Sequence, residues 1–335
     1  MSKVALVKGG NRYANISAAL ELIQDTVHLD GVRHVLIKPN FTWVNAPLAA
    51  THVEAVTAVV DFLRQRQAGA CLSIAEGSGT GSAATWKGVA NYGYGPLLKR
   101  YGLDFVDLNT DEGVPTQIYD DALRPMTVRL ARTVVEADYV VSVGPPKTHD
   151  FVIMTASLKN VVMGSLVRRE SRFLRLLVAM AHRFRIKAAP GTVKTAHSLL
   201  GRGNDKMKMH QGYPVMNLNL CRLAKVVHPH LSVIDGFVAM EGEGPVTGTP
   251  VPWGLAVAST DFVAADSLTA HLMGFQSEDI GYLHYCHRLG LGLGEVGSME
   301  VVGERVAECR RPFRPHPSYR AQLEWPMAHG EVYLA

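Results

Sequence analysis

The chain has 335 residues, enough for one large domain or two smaller ones, and a formal net charge of +4. Hydrophobic residues make up 47% and charged residues 19%, which is typical of a globular protein and too apolar for a disordered chain. No apolar run approaches the ~20 residues of a membrane span, and the N-terminus lacks the character of a signal peptide. The four cysteines include no Cys-x-x-Cys pair. We therefore expect reduced cysteines, a cytoplasmic location and no transmembrane segment.

In the first third of the chain, predicted strands alternate with predicted helices. Residues 4–8, 34–40 and 71–81 have the apolar character of buried strands. Apolar residues at helical spacing lie between them, and Thr51-His52-Val53-Glu54 matches the capping-box pattern, with Thr51 as the N-cap of the second helix. This order predicts an α/β protein with a doubly wound, mainly parallel sheet and helices on both faces.

The central stretch begins with a fully apolar strand at residues 139–143, which stops at Gly144-Pro145-Pro146. Lys147, Thr148 and His149 follow at once, and the next apolar segment carries Lys159 and Asn160. Further strands are predicted at residues 105–108, 126–130, 231–237, 254–260 and 298–303, of which 126–130 alternates like an edge or antiparallel strand. We expect a single α/β domain over residues 1–305 and a C-terminal tail, residues 306–335, packed on the surface.

Positive charge is concentrated just after the central stretch. The residues between Gly164 and Tyr213 include eleven Lys or Arg and two acids, a balance of +9 that leaves −5 for the remainder. Residues 166–187 read as an amphipathic basic helix, so we predict a basic helical insertion at about 165–213. A lid over an anionic substrate is the favoured interpretation, followed by a membrane-surface helix and then a nucleic-acid contact.

Polar side chains follow several of the predicted strands. Because parallel strands end at one edge of a sheet, these side chains should converge there, where open α/β sheets bind ligands. Lysines and hydrogen-bonding groups suit a carboxylate or phosphate, and the glycine loop after Glu76 offers backbone N–H groups. The predicted substrate-binding residues are Lys38, Asn40, Gly77, Ser78, Lys147, Thr148, Lys159 and Asn160. The glycine spacing of that loop fits neither the dinucleotide fingerprint nor a Walker A loop, so NAD is not expected.

The catalytic candidates are groups that transfer protons or act as nucleophiles. His149 and His210 are the predicted proton-transfer residues, and Asp235 is a candidate partner acid or base. A lysine crowded by other cations can lose its proton and become a nucleophile, and the sequence does not decide between Lys147 and Lys159. Asp266 lies within an apolar helix, where an unpaired carboxylate would be costly. A divalent metal such as Mg²⁺ is a candidate cofactor, with Glu76, Asp235 and Glu241 as the predicted ligands.

The order of these motifs resembles the bacterial and archaeal family called domain of unknown function 362. The matching segments run in sequence over roughly residues 3–303: VLIKPN, GPPKTH, SLKNVVMG, HQGY, IDGFVAMEGEGPVTGTP and ASTDFVAADSLTAHLMG. The resemblance implies that the strand-end residues, including Lys38, Lys147, Lys159 and His210, are the family's shared positions. Many members of that family carry ferredoxin-type iron–sulfur segments. This chain lacks the cysteines, so no iron–sulfur cluster is expected.

The leading hypothesis is an enzyme that acts on a small anionic substrate, with lysines holding the anion and a histidine moving a proton. A non-catalytic binding protein for an anionic metabolite or cofactor is the alternative. A protein that contacts a membrane surface or nucleic acid through the basic segment is the third. The reaction class, the substrate and the oligomeric state are left open by the sequence.

Overall fold

A ten-stranded mixed sheet with helices on both faces forms the centre of the molecule. The computed structural model describes residues 1–66, 69–168 and 204–334. Within these ranges the strands are β1 (Lys3–Lys8), β2 (His34–Lys38), β3 (Cys71–Glu76), β4 (Asp104–Asp107), β5 (Gly113–Tyr119), β6 (Pro125–Ala131), β7 (Tyr139–Gly144), β8 (Lys147–His149), β9 (Ile153–Thr155), β10 (Leu231–Glu241), β11 (Thr249–Ser259) and β12 (Glu300–Gly303).

Helices connect most of these strands. They are α1 (Arg12–Leu22), α2 (Val53–Arg66), α3 (Ser82–Asn91), α4 (Tyr94–Tyr101), α5 (Arg132–Val135), α6 (Ser157–Ser165), α7 (Asp205–Lys208), α8 (Tyr213–Ala224), α9 (Phe262–Leu272), α10 (Gly281–Arg288), α11 (Val306–Cys309) and α12 (Tyr319–Gln322). Short 3₁₀ turns lie at Gln24–Thr26, Pro47–Ala49, Ser277–Asp279, Val296–Ser298 and Gly330–Leu334. In the described ranges, no helix is long and apolar enough to cross a membrane.

The strands run across the sheet in the order β12-β1-β11-β10-β7-β2-β3-β4. Strands β10, β7, β2, β3 and β4 pair in parallel, whereas β11 runs antiparallel to both of its neighbours, β1 and β10. The predicted mainly parallel α/β fold is therefore confirmed. Parallel pairing places the carboxyl ends of β2, β3 and β7 side by side at one edge of the sheet, the carboxyl rim.

The two faces of the sheet are buried by different helices. Residues of α1, α2 and α4 pack on one face, and residues of α6, α8, α9 and α10 pack on the other. Strand β7 lies in the middle and is buried along its whole length, which explains its unbroken apolar sequence. Alternate residues of β7 serve the two cores: Val141 and Val143 face one, and Val140 faces the other.

Two features that the sequence did not predict affect the site. Residues 147–149 form the short strand β8, which pairs with β10 and β9. The tail predicted to pack on the surface contributes Phe313, Trp325 and Leu334 to the buried core. Most of the predicted basic insertion, residues 169–203, lies outside the described residues, as does any lid formed by it.

Candidate functional site

A cavity of about 300 Å³ lies at the carboxyl rim. Its wall combines groups from the ends of β2 and β3, from β8 and from α6, together with residues 204–210 around α7. The charged and titratable side chains of the wall are Glu76, His149, Asp150, Lys159, Lys206 and His210. The fold thus brings the strand ends together at one edge, as the sequence predicts.

Helix α6 carries two of the predicted residues, and a buried carboxylate fixes its N-terminus. Asp266 accepts hydrogen bonds from the backbone N–H of Ser157 at 2.7 Å and of Leu158 at 3.1 Å. These amides belong to the first helical turn, which has no intrahelical acceptors. Burial raises the pKa of Asp266 to about 7. Asp266 therefore positions the helix that holds Lys159 and lies below the cavity, outside its wall.

A buried ion pair links the ends of β2 and β3. The Lys38 ammonium contacts the Glu76 carboxylate and also donates to the Pro39 carbonyl at 2.8 Å and to Asn160 Oδ1 at 3.1 Å. The other Glu76 oxygen accepts the backbone N–H of Phe41 at 2.9 Å. Burial lowers the pKa of Lys38, and the Glu76 charge opposes that effect. Lys38 lies behind the cavity wall, whereas Glu76 belongs to the wall.

Two asparagines extend this network toward Lys147. Asn40 donates to Asn160 Oδ1 at 3.1 Å, and Asn160 donates to the carbonyl of Lys38 and to Ser142 Oγ, both at 3.0 Å. Both asparagines line the cavity. Their amide groups are largely used within the network, so they shape the cavity floor and hold the lysines in place.

Lys147 is fully engaged with neutral acceptors. Its ammonium donates to Asn40 Oδ1 at 2.7 Å, to Thr42 Oγ1 at 3.0 Å and to the Ala49 carbonyl at 3.2 Å. Burial, reinforced by the positive charge of Lys159, lowers the pKa of Lys147 to about 7. The amine does not reach the cavity wall. Of the two lysines that the sequence offered as a nucleophile, Lys147 is therefore the occluded one.

Lys159 faces the cavity and contacts a histidine. Its Nζ lies 2.7 Å from His149 Nε2, and His149 Nδ1 lies 2.9 Å from Asp150 Oδ1 and 3.0 Å from the backbone nitrogen of Phe151. Burial lowers the pKa of Lys159 to about 8, and the Asp150 charge partly offsets this effect. Burial and the neighbouring Lys159 charge lower the pKa of His149 to about 3. The ring is therefore neutral at physiological pH, and the amine is near its titration point.

Lys206 is a wall residue that the sequence did not single out. It donates to the carbonyls of Gly77 at 2.9 Å, Met163 at 3.0 Å and Gly164 at 3.4 Å. It thereby ties α7 to the end of β3 and to the C-terminal turn of α6, whose carbonyls lack helical partners. Burial lowers the pKa of Lys206 to about 7. In the sequence it is one of eleven cations in the basic segment, and no local pattern distinguishes it.

His210 lines the same cavity, and its ring packs edge-on against Phe151, with the ring centroids 5.0 Å apart. Its Nδ1 lies 2.9 Å from the carbonyl oxygen of Lys206. Because a carbonyl oxygen only accepts, Nδ1 carries the proton and Nε2 is the free acceptor of the neutral ring. Burial, together with the charge of Lys159, lowers the pKa of His210. Both histidines predicted for proton transfer thus reach one cavity.

Several predicted residues lie elsewhere or are occupied within the protein. Thr148 donates to the Gly242 carbonyl at 2.9 Å, outside the cavity wall. Ser78 is fully buried, and its hydroxyl accepts the N–H of Thr80 at 3.1 Å. Gly77 lines the cavity but presents its carbonyl to Lys206. The glycine loop therefore folds onto itself instead of directing a row of N–H groups at a ligand.

The three predicted metal ligands are separated. Asp235 pairs with Arg12 at 2.9 Å, Glu241 accepts the backbone N–H of Arg314 at 3.0 Å, and Glu76 pairs with Lys38. Burial raises the pKa of Asp235, while Arg12 opposes the shift. Among the described residues, no group of three His, Cys, Asp or Glu side chains is placed to hold a metal ion. The predicted set therefore does not form one site, and Asp235 does not reach the cavity as a catalytic partner.

Comparison with solved structures finds distant likenesses, two of which are a lactate racemase and a structural genomics target. The lactate racemase apoprotein from Thermoanaerobacterium thermosaccharolyticum matches with 14% identity and a TM-score of 0.44 over 79% of this chain. A Thermotoga maritima protein solved by a structural genomics consortium matches with 13% identity and a TM-score of 0.38 over 74% of this chain. The chain spans 57% and 55% of the length of these two proteins.

Sequence comparison identifies the family. The thylakoid-associated protein sll1697 of Synechocystis sp. is 28% identical over 260 residues, which cover 77% of this chain and 68% of that protein. Residues 35–271 match the family described as domain of unknown function (DUF362). That range includes the cavity wall from β2 through α6 to His210 as well as Asp266. The chain therefore belongs to the DUF362 family.

Proposed function

We propose that this protein is an enzyme that binds a small carboxylate or phosphate compound in the cavity at the carboxyl rim and transfers a proton through Lys159 and His149. The observation that carries the proposal is the 2.7 Å contact between Lys159 Nζ and His149 Nε2 in the wall of that cavity. A binding protein would need the cations but no proton-transfer group beside them. The contact therefore favours catalysis over the simple sequestration of an anion.

Four buried lysines surround the cavity, and three of them have every hydrogen-bond donor of the ammonium form engaged. Lys38, Lys147 and Lys206 each direct three hydrogen bonds to oxygen acceptors, which matches the three donors of an ammonium. Lys159 makes a single hydrogen bond among the described residues, and its partner is a ring nitrogen that can either donate or accept. Lys159 is therefore the buried amine whose hydrogen-bond partner can serve both its protonated and its neutral state.

The surroundings of His149 accommodate both states of that amine. With a proton on Nδ1, the ring donates to Asp150, and Nε2 accepts from the Lys159 ammonium. With a proton on Nε2, the ring donates to the neutral Lys159 amine, and Nδ1 accepts from the N–H of Phe151. The change requires no movement of heavy atoms. Such an arrangement suits a general acid or base that works near neutral pH.

The charge around the cavity suits an anionic ligand. Lys38, Lys147, Lys159 and Lys206 are buried there, and the nearby carboxylates are Glu76, Asp150 and Asp107, whose charge acts on Lys206. With all seven groups ionised, the positive charges exceed the negative ones by one. An anion would compensate that excess and favour the protonated form of lysines whose pKa is lowered by burial.

A thermal-shift screen tests the proposal. Purified protein is melted with small carboxylates, inorganic phosphate and phosphate esters, beside Lys159→Met and the exposed control Lys99→Met. A ligand that binds only the folded state raises the melting temperature. At a concentration of one hundred times its Kd, it adds about 2.7 kcal/mol to the free energy of unfolding. We expect a shift in the wild type and in Lys99→Met that Lys159→Met largely loses. Equal shifts in all three proteins, or none with any anion, would contradict the proposal.

Association with a membrane surface is the second candidate function. The observation that favours it is the name of the Synechocystis relative, which describes that protein as thylakoid-associated. The basic segment between Gly164 and Tyr213, with its balance of +9, would supply the attraction to anionic lipid. Sedimentation with phosphatidylserine vesicles at low and high salt tests it. Binding that weakens steeply with salt is expected, and no difference from neutral vesicles would dismiss it.

We also propose a cytoplasmic location. The support for it is the sparse use of cysteine: Cys71, Cys221, Cys286 and Cys309 are all free thiols. Fractionation of the native host with an antibody against the chain tests this part of the proposal. Recovery of the chain from outside the cytoplasmic membrane would contradict a cytoplasmic location. Recovery of the chain in the membrane fraction would support the second candidate function.

A further inference from the structure

The Lys159 amine has a chemical property that proton transfer alone does not use. Once deprotonated, it carries a lone pair in the cavity wall, and its single hydrogen-bond partner among the described residues is His149 Nε2, which releases that lone pair when the ring holds its proton on Nδ1. A buried, neutral amine is the form of lysine that attacks carbonyl carbon. The wall also includes the apolar residues Met163, Met207, Pro245 and Val246.

We propose that Lys159 forms a covalent imine with the carbonyl group of a small anionic carbonyl compound, of the class of 2-oxo acids and phosphorylated aldehydes. The inference rests on the proposed function and deepens it, because it assigns the substrate class and makes Lys159 the nucleophile. The carboxylate or phosphate would balance the excess of buried cations. The short apolar wall would contact the carbon chain.

The atoms and charges of this step balance with the groups present. The Lys159 ammonium gives one proton to His149 Nε2 in a transient, uphill transfer, because the pKa of His149 is about 3 and that of Lys159 about 8. Asp150, 2.9 Å from Nδ1, stabilises the short-lived imidazolium. The neutral amine then attacks the carbonyl carbon; the carbonyl electron pair moves to oxygen, which takes a proton from the nitrogen. His149 returns its proton to that hydroxyl group, water leaves, and a protonated imine remains. An ammonium and a carbonyl thus become an iminium and one water.

The other buried lysines are poor candidates for the same chemistry. Lys38 is paired with the Glu76 carboxylate, and Lys147 is enclosed by three neutral oxygens outside the cavity wall. Lys206 reaches the cavity, but its three hydrogen bonds go to backbone carbonyls that cannot accept a proton from it. Geometry thus singles out Lys159 and a proton acceptor directly beside it.

Borohydride trapping tests the inference. The wild type is incubated with glyoxylate, the smallest 2-oxo acid, or with glycolaldehyde phosphate, and is then reduced with sodium borohydride, which converts an imine into a stable secondary amine. Intact-mass measurement and peptide mapping locate the product. We expect at least tenfold more modification at Lys159 than at the exposed Lys99, and none at position 159 in Lys159→Met. In His149→Gln, the proton acceptor is lost, and trapping at Lys159 should slow about tenfold or more.

The outcomes separate this inference from the proposed function. If the same compounds raise the melting temperature but leave Lys159 unmodified after reduction, binding is non-covalent and the imine is refuted while the proposed function stands. If they neither shift the melting temperature nor modify Lys159, both fail. Modification spread over exposed lysines at equal levels also refutes the imine. Peptide mapping of the wild type decides the matter even if Lys159→Met does not fold.

Discussion

Replacement of Lys159 by methionine should change how the stability of the protein depends on pH. Burial lowers the pKa of Lys159 from 10.5 to about 8, so its protonated form in the folded protein is unfavourable by about 3 kcal/mol relative to the unfolded chain. The unfolded chain therefore keeps this proton to a higher pH than the folded protein does. The stability of the wild type rises with pH between about 8 and 10.5, and Lys159→Met lacks this contribution.

The expected size can be stated for two practical conditions. From about pH 7 to about pH 9.5, the wild type should gain about 2 kcal/mol more unfolding free energy than Lys159→Met does. Lys147 adds to the difference in the same direction, because the charge of Lys159 contributes to lowering the Lys147 pKa. Urea unfolding at both pH values, read by linear extrapolation, measures the quantity. The matched control is Lys99→Met, which removes an exposed lysine of α4.

Two results would refute this reasoning. If the difference in unfolding free energy between the wild type and Lys159→Met is independent of pH, the Lys159 amine titrates alike in the folded and unfolded states. If it changes in the opposite direction, the folded protein binds this proton more tightly than the unfolded chain, and the amine is held as a permanent ammonium. Either outcome would remove the physical basis of the proton-transfer role.

Two further substitutions test how the cavity is held. Gly77→Ala should lose about 1–3 kcal/mol of stability and displace Lys206, because a Cβ there would lie 2.6 Å from the Gly164 carbonyl oxygen. Chemical denaturation measures the loss. Gln322→Ala should cost about 3 kcal/mol, because the buried Gln322 amide donates to the His149 carbonyl at 2.8 Å and accepts the backbone N–H of Ile153. The same assay reads this loss, and trapping at Lys159 should weaken with it.

Both substitutions have matched controls within the chain. Gly95→Ala adds the same methyl group in α4, where a Cβ meets nothing within 4 Å, and should leave stability equal or slightly higher. Gln65→Ala removes an exposed amide of α2 and should change little. If either control costs as much as its buried counterpart, the specific contacts described here are not what stabilises the site.

The fold follows closely from the sequence because its signals are local. An apolar run such as that of β7, placed between helices of regular period, predicts a buried parallel strand without knowledge of its neighbours. The pairing of strand ends at one rim is then a consequence of topology. For that reason the sequence predicts that polar side chains converge at the rim. Asn40, Glu76, His149 and Lys159 line one cavity there, whereas Lys38, Lys147 and Thr148 lie outside its wall.

The assignment of roles at the site depends on partners that the sequence does not reveal. Lys147 and Lys159 look alike in the sequence, yet one is enclosed by three oxygens and the other contacts a single histidine. Asp235, predicted to end a strand, lies within β10, and its carboxylate pairs with Arg12. Likewise Thr51, predicted as a helix N-cap, instead accepts the N–H of Asn40 and donates to the Val143 carbonyl.

Contacts between residues that lie far apart in the sequence could not be predicted from local patterns either. Gln322 lies in α12, well outside the range that matches the family, and still holds the β8–β9 turn next to the cavity. Ile153 in that turn has a φ of 65°, a conformation that branched side chains rarely adopt and that needs support from its surroundings. A tail rich in proline and arginine gave no sign of this role.

The most direct test of the central claim is the pH dependence of labelling at Lys159. Purified wild type is exposed briefly to a trace of acetic anhydride over a range of pH, and peptide mapping reports the rate at Lys159 beside that at the exposed Lys99, which monitors the reagent. Because only the neutral amine reacts, the rate at Lys159 should reach half its maximum near pH 8. A midpoint near 10.5, the ordinary value for a lysine, would contradict the account.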